Sequence, residues 1–268
     1  MQSSQSRPEA LAAGGQVSDG SPEPPPLDPA RHALFLDVDG TLAEICPEPS
    51  QVAVPPATVA ALAALQRALD GALAILSGRS GAAIDLLLQP LRLPYGANHG
   101  AEFRRADGQA RRLEPSAALP GIVAALRQRA AGWPGVLVES KPLGVAVHYR
   151  MAPPRERDVH DLVHEVAAAH DGQFDVLTGK MVYELKPHGV DKGRALREFM
   201  RAAPFAGRVP VMAGDDLTDE SAFAAAQEAG GFGIKIGPGD SIAPWRLSGP
   251  PELARWLQAL RAKAGAIQ

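Results

Sequence analysis

A chain of 268 residues is long for a single small domain, and at roughly 100–200 residues per domain it fits two, or one large one carrying an insertion. With 46% hydrophobic and 21% charged residues it has material for a sizeable core, which excludes a wholly disordered or fibrous chain. The net charge of -3 argues against bulk binding to nucleic acid or an anionic membrane, the single cysteine (Cys46) rules out an internal disulfide, and no apolar run reaches the length of a membrane span.

Residues 1–30 are rich in Ser, Gly, Gln and Pro and finish in a proline cluster. Proline lacks an amide hydrogen and resists helix and sheet, so this stretch reads as a disordered tail. It has neither the basic start nor the apolar run of a secretory signal, which makes a cytoplasmic address the default. Order begins at Ala33 to Val38, a short apolar run that predicts a buried strand. A helix over Pro55–Leu69, a strand over Ala72–Leu76 and a helix over Ile84–Leu88 follow. The alternation returns at the C-terminal end: helix Asp191–Ala203, strand Val209–Ala213, helix Ser221–Glu228, strand Gly233–Ile236 and helix Glu252–Ala262. Alternating strands and helices imply parallel pairing, hence an α/β fold with a Rossmann-like parallel-sheet core.

The middle breaks this rhythm. A helix over Gly121–Ala131, strands over Val136–Ser140 and Val145–Arg150, a helix over Arg155–His170 and strands over Phe174–Leu177 and Met181–Leu185 form a helix-strand-strand unit repeated twice. This predicts an inserted α+β domain over residues 115–185, interrupting a core made of 31–114 and 186–268.

Two acidic motifs end predicted core strands. In Asp37-Val-Asp39-Gly40-Thr41 the carboxylates are two residues apart, so both can face one ligand beyond the strand, and Gly40 lets the chain turn. A calcium loop counted from Asp37 would put Glu48 at its twelfth position, but Leu42 occupies the sixth, where glycine is needed. Gly214-Asp215-Asp216-Leu217-Thr218-Asp219-Glu220 repeats the design. Helix capping by Asp216 or Thr218 accounts for one acid, not four within six residues. Paired clusters at strand ends make an oxygen-rich Mg2+ site plausible. Between them lie Ser77-Gly78-Arg79-Ser80, whose hydroxyl and amides suit a phosphate oxygen, and Lys186 and Lys192-Gly193, of which Lys192 sits at a helix entrance. His160-Asp-Leu-Val-His164 mimics a zinc-protease motif, but both histidines fall beside the apolar stripe of their helix and read as solvated.

In this order the motifs at Asp37, Ser77, Lys192 and Gly214 resemble the four motifs of the haloacid dehalogenase-like phosphohydrolases, with the insertion resembling their cap domain. The stretches Tyr95–Glu102, Glu139–Lys141, His148–Arg150, Tyr183–Pro187 and Ile234–Gly237 are similar to the trehalose-6-phosphate phosphatases of that superfamily, a likeness that runs from about Leu34 to Leu257. The resemblance implies hydrolysis of trehalose 6-phosphate through an aspartyl-phosphate on Asp37, with Asp39 as acid and base. Thr41, Ser77 and Lys192 would handle the phosphoryl group, Gly78 and Arg79 would lie against substrate, and Mg2+ would be held by Asp37, Asp39 (through its main chain), Asp215 and Asp219. Glu139, Lys141, Glu184 and Lys186 would meet the sugar. Asn98 is a further candidate for the substrate and His99 another, whereas His148 reads as a packed strand histidine. The expected partner is a small molecule, with no nucleic acid or membrane; oligomeric state leaves no mark in the sequence. The rival readings are a phosphatase of sucrose or mannosyl-glycerate phosphate, and a non-catalytic regulator that binds a sugar phosphate.

Overall fold

The apolar run that opens the ordered chain becomes β1 (His32–Leu36), buried at four of its five positions. The computed structural model describes residues 23–46, 51–170, 172–179 and 181–265. After β1 come α1 (Pro56–Ala68), β2 (Leu73–Leu76), α2 (Gly81–Leu87), β3 (Tyr95–Ala97), β4 (Glu102–Arg104) and β5 (Ala110–Arg112). A second group follows: α3 (Leu119–Ala130), β6 (Leu137–Ser140), β7 (Val145–His148), α4 (Glu156–Ala169), β8 (Phe174–Gly179) and β9 (Val182–Pro187). The chain then returns through α5 (Lys192–Phe199), β10 (Val209–Gly214), α6 (Glu220–Glu228), β11 (Phe232–Ile236), β12 (Trp245–Leu247) and α7 (Pro250–Gly265).

The larger sheet has eight strands in the order β12-β11-β10-β1-β2-β3-β4-β5. Pairing is parallel from β12 to β3 and antiparallel through β4 and β5. β1 therefore lies between β2, which follows it, and β10, which comes from the far end of the chain. This is the switch point where ligands bind beyond strand carboxyl ends. Phe35 on β1 stacks on Phe205 at 5.4 Å and Phe103 on Phe199 at 4.2 Å, so rings from the sheet and from the segment around α5 close one side of the core.

The antiparallel extension was not expected. β5 is exposed at all three positions and β3 is only three residues long, so neither shows apolar periodicity. β4 is fastened instead by Arg104, which donates to both oxygens of Asp85 at 2.7 and 2.6 Å and lies over the Tyr95 ring.

The smaller sheet runs β6-β7-β9-β8, antiparallel throughout. One face, with Val145, Val147, Tyr183 and Leu185, packs with Val123 and Leu126 of α3 and Leu162 and Val163 of α4 in a second apolar core. Opposed residues of an antiparallel sheet share a face, so the row Glu139–Ala146–Glu184–Leu177 lies on the other side. Lys186, two residues from Glu184, shares that open face, as does His148, two from Ala146.

One boundary differs from expectation. The tail was expected to extend to residue 30, but within it Pro24 is buried and its carbonyl accepts from Trp256 Nε1 at 3.4 Å. The Pro29 carbonyl likewise accepts from Arg208 at 2.6 Å, so 23–30 is tied to the core through backbone carbonyls, which proline retains. Residues 1–22 and Glu48 lie outside the described residues. No described helix is long and apolar enough to cross a membrane.

Candidate active site

Asp37, Ser77 and Asp215 each follow directly on the last residue of β1, β2 and β10, three neighbouring parallel strands. Parallel register thus delivers two acids and a hydroxyl to one edge of the sheet. Asp37 is 4% exposed and Asp219 fully buried. Between them lies the buried ammonium of Lys192, donating to Asp37 Oδ1 at 2.9 Å and to Asp219 Oδ1 at 2.7 Å. One carboxylate oxygen each from Asp37, Asp215 and Asp219 falls within 4.8 Å of the others.

Glycines make this crowding possible. Gly40 has φ of 73°, and a Cβ there would stand 2.1 Å from Asp215 Oδ2. A Cβ on Gly214 would meet Asp219 Cγ at 2.3 Å. A Cβ on Gly193 would meet the Ser221 carbonyl oxygen at 2.2 Å, which is why glycine follows Lys192 where α5 enters against the start of α6. Gly40→Ala should cost about 1–2 kcal/mol from the left-handed backbone alone and displace Asp215 as well. A lowered melting temperature, measured by differential scanning calorimetry, checks this.

Three carboxyl groups crowd around the Lys192 ammonium here, with Lys235 the next buried cation, and the proton equilibria show the excess of acid. Burial, reinforced by Asp219, pushes the Asp37 carboxyl up to about 8 against the pull of Lys192. Asp215 rises to about 6 through burial and the charges of Asp219 and Asp216. Burial opposes the Lys192 charge, but Asp37 and Asp219 outweigh it and hold this lysine above its ordinary value. A cluster of hard carboxylate oxygens that takes up protons for want of positive charge fits a divalent cation such as Mg2+.

Around the cluster, Thr41 is fully buried and its hydroxyl donates to Asp215 Oδ1 at 3.3 Å. Asp39 adds no carboxylate to the cluster. Its two oxygens accept a bidentate pair from Arg79, both contacts at 2.6 Å. Buried Ser77 accepts from the Arg79 amide through its hydroxyl. Gly78 packs under His99, whose ring a Cβ would meet at 2.8 Å. Asp216 caps its turn by accepting from the Leu217 amide at 2.7 Å, while Asp219 Oδ2 accepts from the Asp216 amide at 3.0 Å. Capping thus accounts for Asp216 and for one oxygen of Asp219, whose other oxygen holds Lys192.

A cavity of about 150 Å³ joins this region to the smaller sheet, lined by His99, Lys192 and Thr218 from the core side and by Leu177 and Lys186 from the sheet. Leu177 belongs to the row holding Glu139 and Glu184, so the open face of the sheet looks toward the carboxylates. On that face Lys141 pairs with Glu184, and Lys186 donates to the Val190 carbonyl. His99, in a left-handed turn with φ of 59°, is driven down to about 3 by burial and by Lys192, Lys186 and Lys141, so it stays neutral among three ammonium groups.

Asn98, a candidate for the substrate, donates its side-chain amide to Glu102 Oε2 at 3.1 Å within its own loop, where its φ is 49°. One expectation is corrected: His148 is not packed. It stands half-exposed on the open face with Nε2 2.8 Å from Glu139 Oε2. Lys235 was not singled out by chemistry: it is 5% exposed, and its ammonium donates to the carbonyls of Asp215 and Ile236. A lysine inside the apolar run Phe232–Ile236 was the available signal.

A family model for trehalose-phosphatases matches residues 35–251. The chain is 44% identical over 232 residues to a trehalose-6-phosphate phosphatase of Escherichia coli (strain K12), covering 86% of this chain and 87% of that one. A probable trehalose-phosphate phosphatase of Sinorhizobium fredii is 40% identical over 77% of this chain and 78% of its own. Among solved structures, the C-terminal domain of the Candida albicans trehalose-6-phosphate phosphatase matches with a TM-score of 0.71 and 20% identity, covering 87% of this chain and 92% of that one; it bears on the fold alone. With its strand-end carboxylates, inserted sheet and matched length, the chain belongs to the trehalose-phosphatase family.

Proposed function

We propose that this protein hydrolyses trehalose 6-phosphate to trehalose and phosphate at Asp37. The supporting observation is the buried Asp37–Lys192–Asp219 triplet, set beside Asp215 at a switch point and faced by a polar sheet surface. Asp37 attacks phosphorus, the bond to the sugar oxygen breaks, and Asp39 protonates the departing oxygen. A water then attacks the aspartyl-phosphate and gives its proton to Asp39, which frees Asp37 and phosphate. In the present geometry Arg79 clamps Asp39, so Asp39 must leave that pair to donate a proton. Thr41, Ser77 and Lys192 orient the phosphoryl group and balance its charge. Mg2+ held by Asp37, Asp215, Asp219 and the Asp39 main chain would supply the positive charge that this cluster lacks.

Glu139, Lys141, Glu184 and Lys186 read the disaccharide through its hydroxyls. A correct sugar satisfies their polar atoms, and a wrong one leaves them unpaired and desolvated. Glu184→Gln should therefore raise KM for trehalose 6-phosphate by roughly 10-fold, the worth of one charge-assisted hydrogen bond. Hydrolysis of p-nitrophenyl phosphate, which carries no sugar, should change little. Equal losses on both substrates would place Glu184 in the chemistry instead.

A further inference from the structure

Outside the carboxylate cluster, the structure concentrates positive charge on a chain whose net charge is -3. A groove of about 550 Å³ between the edge strand β5 and the exposed side of α5 is lined by Arg105, Arg111, Arg194, Arg197 and Arg201, with Glu198 the one acid in its wall. Glu198 pairs with Arg111 and stands 4.0 Å from Arg105, while Arg197 is taken by Glu228 at 2.7 Å. Arg194 donates to the Gly189 carbonyl at 2.9 Å. Among the described residues no carboxylate lies within ion-pair distance of Arg194 or Arg201. The groove adjoins a hollow of about 190 Å³ that shares Arg111, Arg194 and Glu198 and adds Arg112, His188 and Asp191. Arg111 is held in place, its guanidinium 5.2 Å over the Phe103 ring.

Clustered guanidiniums repel one another in water, and the arrangement is relieved by an anion with several oxygens. A guanidinium fork matches two phosphate oxygens at once, so several forks around one groove suit contiguous phosphates better than a single one. The confined volume and the acidic balance of the remaining chain favour a small ligand over a nucleic acid, whose binding needs an extended basic surface. We propose that the β5–α5 groove is a second anion site, separate from the catalytic cluster, that binds a small molecule carrying two or more contiguous phosphates. It sits on the same helix as Lys192, with Arg197 five residues or about 7.5 Å further along the axis.

The test uses the full chain and inorganic tripolyphosphate in isothermal titration calorimetry without divalent ions, at low and physiological salt, beside orthophosphate. The expected result is one-to-one binding of tripolyphosphate, weakened by salt and at least ~10-fold tighter than orthophosphate. Arg111→Ser/Arg201→Ser should weaken it at least ~10-fold, and Arg201→Ser alone measurably, since that exposed side chain makes no hydrogen bond or ion pair among the described residues. Phosphatase kcat and KM should match wild type in both variants, which separates failure here from failure of the proposed reaction. Undiminished affinity in both variants would move the ligand to the catalytic cluster and overturn the proposal. So would wild-type protein that binds no tripolyphosphate, or that binds only an RNA homopolymer.

Discussion

Asp37→Asn is expected to lower phosphate release from trehalose 6-phosphate by roughly 10³-fold or more while leaving the protein folded. The amide keeps the shape of the carboxyl but has no anionic oxygen to attack phosphorus. Little stability should be lost, because burial already pushes the Asp37 carboxyl up to about 8, toward its neutral form. Lys192 keeps its 2.7 Å partner in Asp219. Steady-state kinetics and a thermal melt on the same preparation check both halves. Turnover within tenfold of wild type would remove Asp37 as nucleophile, and a collapsed melt would show that its charge holds the fold.

Lys192→Met is expected to cost both activity and stability. The side chain is 3% exposed and bridges two buried carboxylates, so its loss leaves both without their cation. Breaking a buried pair by removing one partner costs about 3–5 kcal/mol, less whatever the acids recover by taking up protons. Charge balance on the phosphoryl group disappears as well, worth roughly 10²–10³ in kcat by comparison with the loss of one oxyanion donor. Added Mg2+ should recover part of the melting temperature, because a cation among the carboxylates offsets the same excess charge, but not the rate. A melting temperature unchanged in the variant without metal would show that the triplet is not a stabilising element.

The carboxylate-bearing end of the sheet was legible because its signals are local. Apolar runs at Ala33 and Val209 mark the central strands, and the acids, Ser77 and Lys192-Gly193 stand directly after strands or at a helix entrance, so order along the chain translated into position. The inserted domain was legible for a similar reason, since helix-strand-strand repeats announce an antiparallel sheet. What escaped was non-local. β3 and β5 are short, and β5 lies wholly exposed; each exists because a neighbouring strand offers free backbone groups, which no periodicity encodes. The contacts of Asn98 and His148 depend on partners, Glu102 within a left-handed turn and Glu139 across a strand pair, that spacing alone does not identify. Lys235 reaches the Asp215 carbonyl from an adjacent strand, a contact set by the register of β10 and β11.

The most direct test of the proposed reaction is phosphate release by the wild-type protein from a panel of sugar phosphates, run with Mg2+ and again with a chelator. Trehalose 6-phosphate should have the highest kcat/KM, sucrose, mannosyl-glycerate and glucose phosphates should be poorer substrates, and chelation should stop release from all of them. Faster turnover of another sugar phosphate, or undiminished release from trehalose 6-phosphate in the chelator, would overturn the proposed reaction.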